Sequence, residues 1–128
     1  MMSAHTVVNL DQLPNAAARF GAELEQHAGS EPLGLENFGL ALQRLGPQFR
    51  IPFGHDHERT EEVYLVVAGS ARAKIGEEVV ELDKWDAVRI PTGTPRQFEA
   101  GPDGVEMVIV GAPRGPDDSK ILDGWWQD

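Results

Sequence analysis

The chain has 128 residues, of which 41% are hydrophobic and 25% charged, and it contains no cysteine. A chain of this length can bury one hydrophobic core without disulfides, so we expect a single domain over residues 1–128. Acidic residues outnumber basic ones by 21 to 11 and give a net charge of −10, which excludes the broad basic surface that nucleic acids and anionic membranes attract. Small molecules and other proteins remain as partners.

The sequence also carries no signal for a membrane. No apolar run approaches the roughly 18 residues that a membrane helix needs. The first five residues, Met-Met-Ser-Ala-His, lack the basic and then apolar pattern of a secretion signal. We therefore expect a cytoplasmic protein.

The N-terminal region contains one helical pattern, over residues 14–27. Leu13, Ala17, Phe20 and Leu24 recur at spacings of four, three and four residues, which is the period of one helix face. Asp11 is a candidate N-cap, although a glycine at position 21 weakens the pattern. The sequence predicts a short N-terminal extension that contains this helix.

From residue 62 onward, short β-branched segments alternate with turn residues. The segments are 62–67, 71–75, 79–82, 87–90 and 105–110, and a Gly-Ser pair at residues 69–70 separates the first two. None is long enough for a typical helix. Turn signals at this spacing predict an all-β sandwich or barrel rather than an alternating βαβ fold.

The residues with the most chemistry lie between positions 49 and 62. Strand alternation places His55 and His57 on the same face as the apolar residues Ile51 and Phe53. Two imidazoles side by side, with the Glu62 carboxylate at the start of the next strand, form a set of donors for a divalent metal. The other interpretation of residues 55–62 is a solvated, charged loop with two incidental histidines, but an outward pair would more naturally share the opposite face of the strand.

These residues also match a known family in type and spacing. The segment His55-x-His57-x4-Glu62-x6-Gly69 resembles the second part of the first cupin motif. Fifteen residues later, Trp85-Asp86-x4-Pro91-x-Gly93-x2-Arg96 resembles the second cupin motif, with tryptophan replacing a glycine and arginine replacing a histidine. The resemblance covers about residues 35–112.

The resemblance implies a double-stranded β-helix, a jelly-roll barrel with its site in the barrel mouth. It also implies that His55, His57 and Glu62 are ligands of a divalent transition metal such as iron, manganese, nickel, zinc or copper. The fourth ligand position of the family is Arg96 here, and a guanidinium does not ligate metal.

Three arrangements of Arg96 follow. It pairs with Glu62 in a metal-free pocket, or it anchors an anionic substrate by bidentate hydrogen bonds beside a metal, or it faces solvent at the rim. Tyr64 and Phe98 share strand parity with Glu62 and Arg96 respectively, so we expect them to line the pocket or to pack in the core.

Five other residues are assigned no chemistry. Trp85 should lie at a strand end, either on the surface or under a neighbouring chain. The Trp125-Trp126 pair should pack the tail, residues 113–128, on the barrel or on a partner. His5 and His27 lie outside any ligand spacing, so we expect them on the surface.

Two function hypotheses therefore stand. One is a metal-dependent enzyme, such as a dioxygenase or an isomerase, acting on a small anionic or polar substrate. The other is a metal-free small-ligand binding or sensor module that uses the same pocket. The resemblance to small cupins also predicts a homodimer. No catalytic residue can be assigned from these motifs.

Overall fold

The computed structural model describes residues 4–128, and in this range the fold is almost entirely β. Eight strands follow one another along the chain: β1 (Leu24–Ala28), β2 (Gly39–Leu45), β3 (Phe53–His57), β4 (Glu61–Ile75), β5 (Glu78–Leu82), β6 (Ala87–Ile90), β7 (Arg96–Ala112) and β8 (Ser119–Asp123). The helical elements are one turn, α1 (Ser30–Leu33), and two 3₁₀ turns at Leu10–Gln12 and Ala18–Phe20. No helix in the described range is long and apolar enough to cross a membrane.

Strands β4 and β7 form the spine of one curled antiparallel sheet. They pair along most of their length, while β5 and β6 pair with β4. Strand β2 pairs with β7 and, on its other edge, with β1. Strand β3 lies between β7 and β8. This curled half-barrel confirms the predicted all-β class and the double-stranded β-helix architecture.

The turn predicted at residues 69–70 is a bend within β4. The β4–β7 register shifts between Val66 and Ala68 and again between Gly69 and Ala71, and such bulges increase strand twist. Gly69 has a φ of +72°, and a Cβ there would lie 2.0 Å from the carbonyl oxygen of Gly104. Glycine is therefore required where the two long strands approach each other.

The core follows the alternation read from the sequence. Tyr64 and Val66 of β4 point inward, together with Phe98 and Met107 of β7, and all four are at most 3% exposed. Facing strands thus bury one continuous apolar layer, and the candidate ligands lie at its edge.

The helix predicted over residues 14–27 is wrong. This stretch contains the 3₁₀ turn Ala18–Phe20, and the chain then enters strand β1. Gly21 has a φ of +96°, which ends helical winding. Leu24 is buried because it faces the barrel core from β1, so tertiary pairing with β2 overrides the local helical spacing.

The surface position predicted for His27 is also wrong, whereas His5 is exposed as expected. His27 is 4% exposed, with Nδ1 2.9 Å from the carbonyl oxygen of Leu13 and Nε2 2.9 Å from Glu25 Oε1. Both partners are acceptors, so the ring donates through both nitrogens when it is protonated. The hydrogen bond to Glu25 accordingly raises the pKa of His27.

Trp85 lies exposed at a strand end, as predicted. Its side chain is 66% exposed and its φ is +75°, a left-handed conformation that normally favours glycine. The motif glycine that tryptophan replaces here therefore has a conformational role.

The C-terminal tail packs on the barrel. Strand β8 pairs with β3, and Trp126 is 5% exposed beneath the Arg50 guanidinium, whose carbon lies 3.8 Å from the ring centroid. Arg50 also donates to Glu99 and Asp128 at 2.8 Å each. We call Arg50, Arg72, Glu99, Trp126 and Asp128 the outer clamp.

Candidate metal centre

The structure brings His55, His57 and Glu62 together at one end of the barrel interior. The two histidines occupy alternate positions of β3, and Glu62 is the second residue of β4. One ligand atom from each residue lies within 4.8 Å of the others. The shared strand face read from the sequence and the short connection between the strands produce this convergence.

The His57 ring is held from behind by an aspartate. Nδ1 donates to Asp118 Oδ1 over 2.8 Å, and Nε2 lies 3.5 Å from Glu62 Oε1. Hydrogen bonds from His57, Arg59 and Thr60 hold the pKa of Asp118 far below its usual range, even though burial acts in the opposite direction. Asp118 is therefore a carboxylate acceptor, and the Nε2 side of the ring faces the cluster.

The His55 ring is neutral. Burial lowers its pKa to about 4, and the positive charge of Arg96 adds to this shift. The two rings meet edge to face, with centroids 5.0 Å apart. A neutral imidazole has a free lone pair at one nitrogen, which is the form that binds metal.

Glu62 is contacted by a phenol and a guanidinium. The Tyr64 hydroxyl donates to Glu62 Oε1 over 3.0 Å, and Arg96 Nη2 lies 3.5 Å from the same oxygen. Burial, followed by the negative charge of Glu62, raises the pKa of Tyr64 well above its usual value. The Tyr64 ring stacks on Phe98 with centroids 4.4 Å apart, so the phenol is neutral and fixed in place.

Arg96 points inward. It begins β7, where it pairs with His55 in the sheet, and it is fully buried. None of its three guanidinium nitrogens has a hydrogen-bond partner among the described residues. Full burial leaves the two inward arrangements of Arg96 and removes the one in which it faces solvent at the rim.

A cavity of about 340 Å³ opens beside the cluster. Its wall includes His55, His57, Glu62 and Tyr64, whereas Arg96 and Phe98 lie behind this wall. Most other lining residues are apolar, and polar groups come from Arg19, Gln26, Ser30 and Gln43. The amide nitrogen of Gln43 donates to Gln26 over 2.8 Å, and the side-chain carbonyl oxygen of Gln43 is buried without a partner in the described range.

Sequence reasoning missed two parts of this site. Asp118 lies in a segment rich in glycine, proline and aspartate, where nothing marks one aspartate over its neighbours. Ala17 and Phe20 form part of the cavity wall, and the helical interpretation of this segment concealed that role. The apolar character of residues 17–24 was the only available signal.

A family model described as a cupin domain matches residues 41–111. The chain belongs to the cupin family. The match covers the strands that carry all three candidate ligands and Arg96, and it ends before Asp118. No curated protein sequence matches this cupin.

Solved structures of other proteins share the fold. A cupin protein from Bacteroides fragilis is 21% identical, with a TM-score of 0.72 and coverage of 98% of this chain and 93% of that one. KdgF from Halomonas sp. is 15% identical, with a TM-score of 0.72 and coverage of 89% and 97%. A sugar phosphate isomerase of the cupin superfamily from Silicibacter pomeroyi is 21% identical, with a TM-score of 0.71 and coverage of 86% and 76%. At these identities the likeness concerns the fold alone.

Proposed function

We propose that this cupin binds a divalent transition metal through His55, His57 and Glu62. The observation that carries the proposal is the approach of three ligand atoms to within 4.8 Å of one another. Two imidazoles and one carboxylate suit iron, manganese, nickel, zinc and copper. The chemistry of the donor set fits such an ion, because His55 is neutral and the Nε2 side of His57 faces Glu62.

A bound ion would supply a Lewis acid that polarises an oxygen atom of the substrate. The protein itself supplies the surroundings. Tyr64 holds Glu62 in place by its hydrogen bond, and Phe98 fixes Tyr64 by stacking. In this proposal Tyr64 forms part of the substrate-binding wall and Phe98 supports it from behind.

Arg96 supplies positive charge for an anionic substrate. Its guanidinium is buried with three nitrogens that lack partners within residues 4–128, and a carboxylate or phosphate is the group that a guanidinium binds best. Because Arg96 lies behind the cavity wall, a direct contact requires His55 or Glu62 to shift, whereas its electrostatic attraction acts without any movement.

The cavity indicates the size and character of the substrate. A volume of about 340 Å³ lies at the small end of ligand pockets, and a largely apolar wall with the Gln26–Gln43 pair suits a small molecule with an anionic end and hydrogen-bonding groups. A dioxygenase-like or isomerase-like site would combine three protein ligands with a buried cation, which is Arg96 here. The isomerase from Silicibacter pomeroyi, whose name specifies a sugar phosphate, shares this fold.

The test is elemental analysis of protein purified without a tag or chelator. We expect near-stoichiometric transition metal in the wild type and none in the His55→Ala/His57→Ala double variant. His5→Ala is the matched control, because His5 is an exposed histidine that does not belong to the cluster, and we expect this variant to retain the metal. Equal metal content in the wild type and the double variant would contradict the proposal.

A second candidate is a metal-free binding or sensor pocket. The observation that favours it is the 3.5 Å approach of Arg96 Nη2 to Glu62 Oε1 inside the barrel, since a buried pair of opposite charges can satisfy both groups. Wild-type protein that is isolated without metal and takes up no added iron, manganese, nickel or zinc would select this candidate.

A further inference from the structure

Asp118 makes four hydrogen bonds at the candidate metal centre. Its side chain is 5% exposed, and Oδ1 accepts from His57 Nδ1 over 2.8 Å. Oδ2 accepts from the backbone nitrogens of Arg59 and Thr60 at 2.7 and 2.9 Å and from the Thr60 hydroxyl at 3.0 Å. Every partner is therefore a donor, and both carboxylate oxygens are used.

This contact determines which nitrogen of the His57 ring carries hydrogen. A carboxylate only accepts hydrogen bonds, so the proton of the neutral ring lies on Nδ1. Nε2 then has a free lone pair on the side that faces Glu62. In the opposite tautomer Nε2 carries the hydrogen and cannot bind a metal.

The same carboxylate holds the connection between β3 and β4. Arg59 and Thr60 lie between His57 and Glu62 in the chain, so their hydrogen bonds to Asp118 restrict the separation of the two candidate ligands. Asp118 itself directly precedes β8, outside the matched family domain.

We propose that Asp118 is the positioning residue that presents His57 Nε2 to the metal. Its effect on metal affinity rests on the proposed function, whereas its effect on the His57 tautomer does not. The C-terminal segment thereby becomes part of the site, although it contributes no ligand.

The decisive variant is Asp118→Asn. The asparagine oxygen can still accept from Thr60, and its amide then donates toward His57 Nδ1, which forces the hydrogen onto Nε2. We expect a 10- to 100-fold loss of Co²⁺ affinity, the range found for groups that orient metal-binding histidines. Asp117→Asn is the control, since it removes the same charge one residue away and Asp117 accepts from Ser119.

Two readouts separate positioning from structural support. In metal-free protein, ¹⁵N NMR of the imidazoles should show His57 with hydrogen on Nδ1 in the wild type and on Nε2 in Asp118→Asn, and only four histidines contribute signals. A Co²⁺ titration should show the affinity loss in Asp118→Asn, with Asp117→Asn and Thr60→Val close to the wild type. Thr60→Val removes one bond of the β3–β4 connection and leaves the Asp118 contact with His57 intact.

A wild-type His57 with hydrogen on Nε2 would overturn the inference, as would Asp118→Asn binding Co²⁺ as tightly as the wild type. If Asp118→Asn fails to fold, the wild-type tautomer still decides the matter. Wild-type protein that binds no Co²⁺ would refute the metal proposal, and the change of tautomer between the wild type and Asp118→Asn would then test the role of Asp118 alone.

Discussion

Two arginine–glutamate pairs of this cupin contrast in how their hydrogen bonds are satisfied. On the outside of the barrel, Arg50 donates to Glu99, to Asp128 and to the carbonyl oxygen of Trp126, and it covers the indole ring of that tryptophan. Inside the barrel, the Arg96 side chain approaches Glu62 to only 3.5 Å and makes no hydrogen bond with the part of the chain that the structure describes.

The outer clamp has the properties of a structural ion-pair network, because every charged group has a partner and each charged side chain remains partly in contact with water. The inner pair has the opposite character, since a fully buried guanidinium without hydrogen bonds costs several kcal/mol of desolvation. Proteins retain such unfavourable groups mainly at functional sites. This difference supports the proposal that the inner pair, and not the outer one, is where charge serves binding.

The largest expected effect comes from removing the inner charge and replacing it with a ligand. Arg96→His supplies the imidazole that the family has at this position and removes a cation next to the metal donors. A unit charge at about 4 Å contributes about 4 kcal/mol at an effective dielectric constant of 20, so we expect metal affinity to rise about a thousandfold. Competition with a zinc chelator measures the change.

Unchanged affinity in Arg96→His would mean that the inner arginine does not affect the metal donors. Arg50→His is the control, because it alters an outer arginine in the same way, and it should leave the affinity unchanged.

A second effect concerns the pH dependence of stability. His55, next to the inner pair, and His27, in strand β1, should act in opposite directions. The His55 pKa is about 4 in the folded chain against 6.5 ordinarily. As the pH falls from 6.5 to 4, His55 binds a proton in the unfolded chain but remains mostly unprotonated in the folded chain. This difference lowers the free energy of unfolding by about 3 kcal/mol. His27 has a raised pKa, so its contribution is present at low pH and is lost as the pH rises.

Urea unfolding in EDTA, between pH 7 and pH 4, measures this dependence for the metal-free protein. The free energy of unfolding of the wild type minus that of His55→Gln isolates the contribution of His55. This value should fall as the pH falls. Parallel curves for the two proteins would contradict the prediction.

The smallest effect compares the two arginines directly. Arg50→Met loses three hydrogen bonds to charged or carbonyl groups and a cation–π contact, so we expect a loss of about 2 kcal/mol in the free energy of unfolding. Arg96→Met has no hydrogen bond to lose among the described residues, and the desolvation cost that it removes is offset because Glu62 is left without a nearby cation, so we expect a change below about 1 kcal/mol. Urea unfolding of both variants at pH 7 provides the measurement.

A loss of about 3 kcal/mol in Arg96→Met would instead indicate that Arg96 and Glu62 form a structural pair. That result would support the metal-free pocket, and it would abolish the contrast with the outer clamp.

Much of the barrel could be predicted from local pattern. Alternation along residues 49–57 and 62–66 gave the inward faces, and the motif spacing brought His55, His57 and Glu62 together because the two strands that carry them are joined by a short loop. Trp85 was placed correctly for the same reason, since its position is defined by a turn between neighbouring strands.

What could not be predicted depends on pairings between distant parts of the chain. Residues 24–28 have a helical spacing that pairing with β2 overrides, and His27 becomes buried only because Leu13 and Glu25 approach its ring. Asp118 and the outer clamp meet their partners through the tail, whose path no local pattern specifies. The homodimer and the cytoplasmic location remain predictions.

The pairing of the histidine-bearing strand has a consequence for biosynthesis. Both neighbours of β3 come from later in the chain, since His55 pairs with Arg96 on one side and with Ile121 on the other. While the ribosome is still adding β7 and β8, β1 can already pair with β2 and β4 with β5, but β3 has unpaired edges that can recruit other nascent chains. We therefore expect the candidate metal centre to assemble last, and we expect premature termination before β8 to yield an aggregation-prone product.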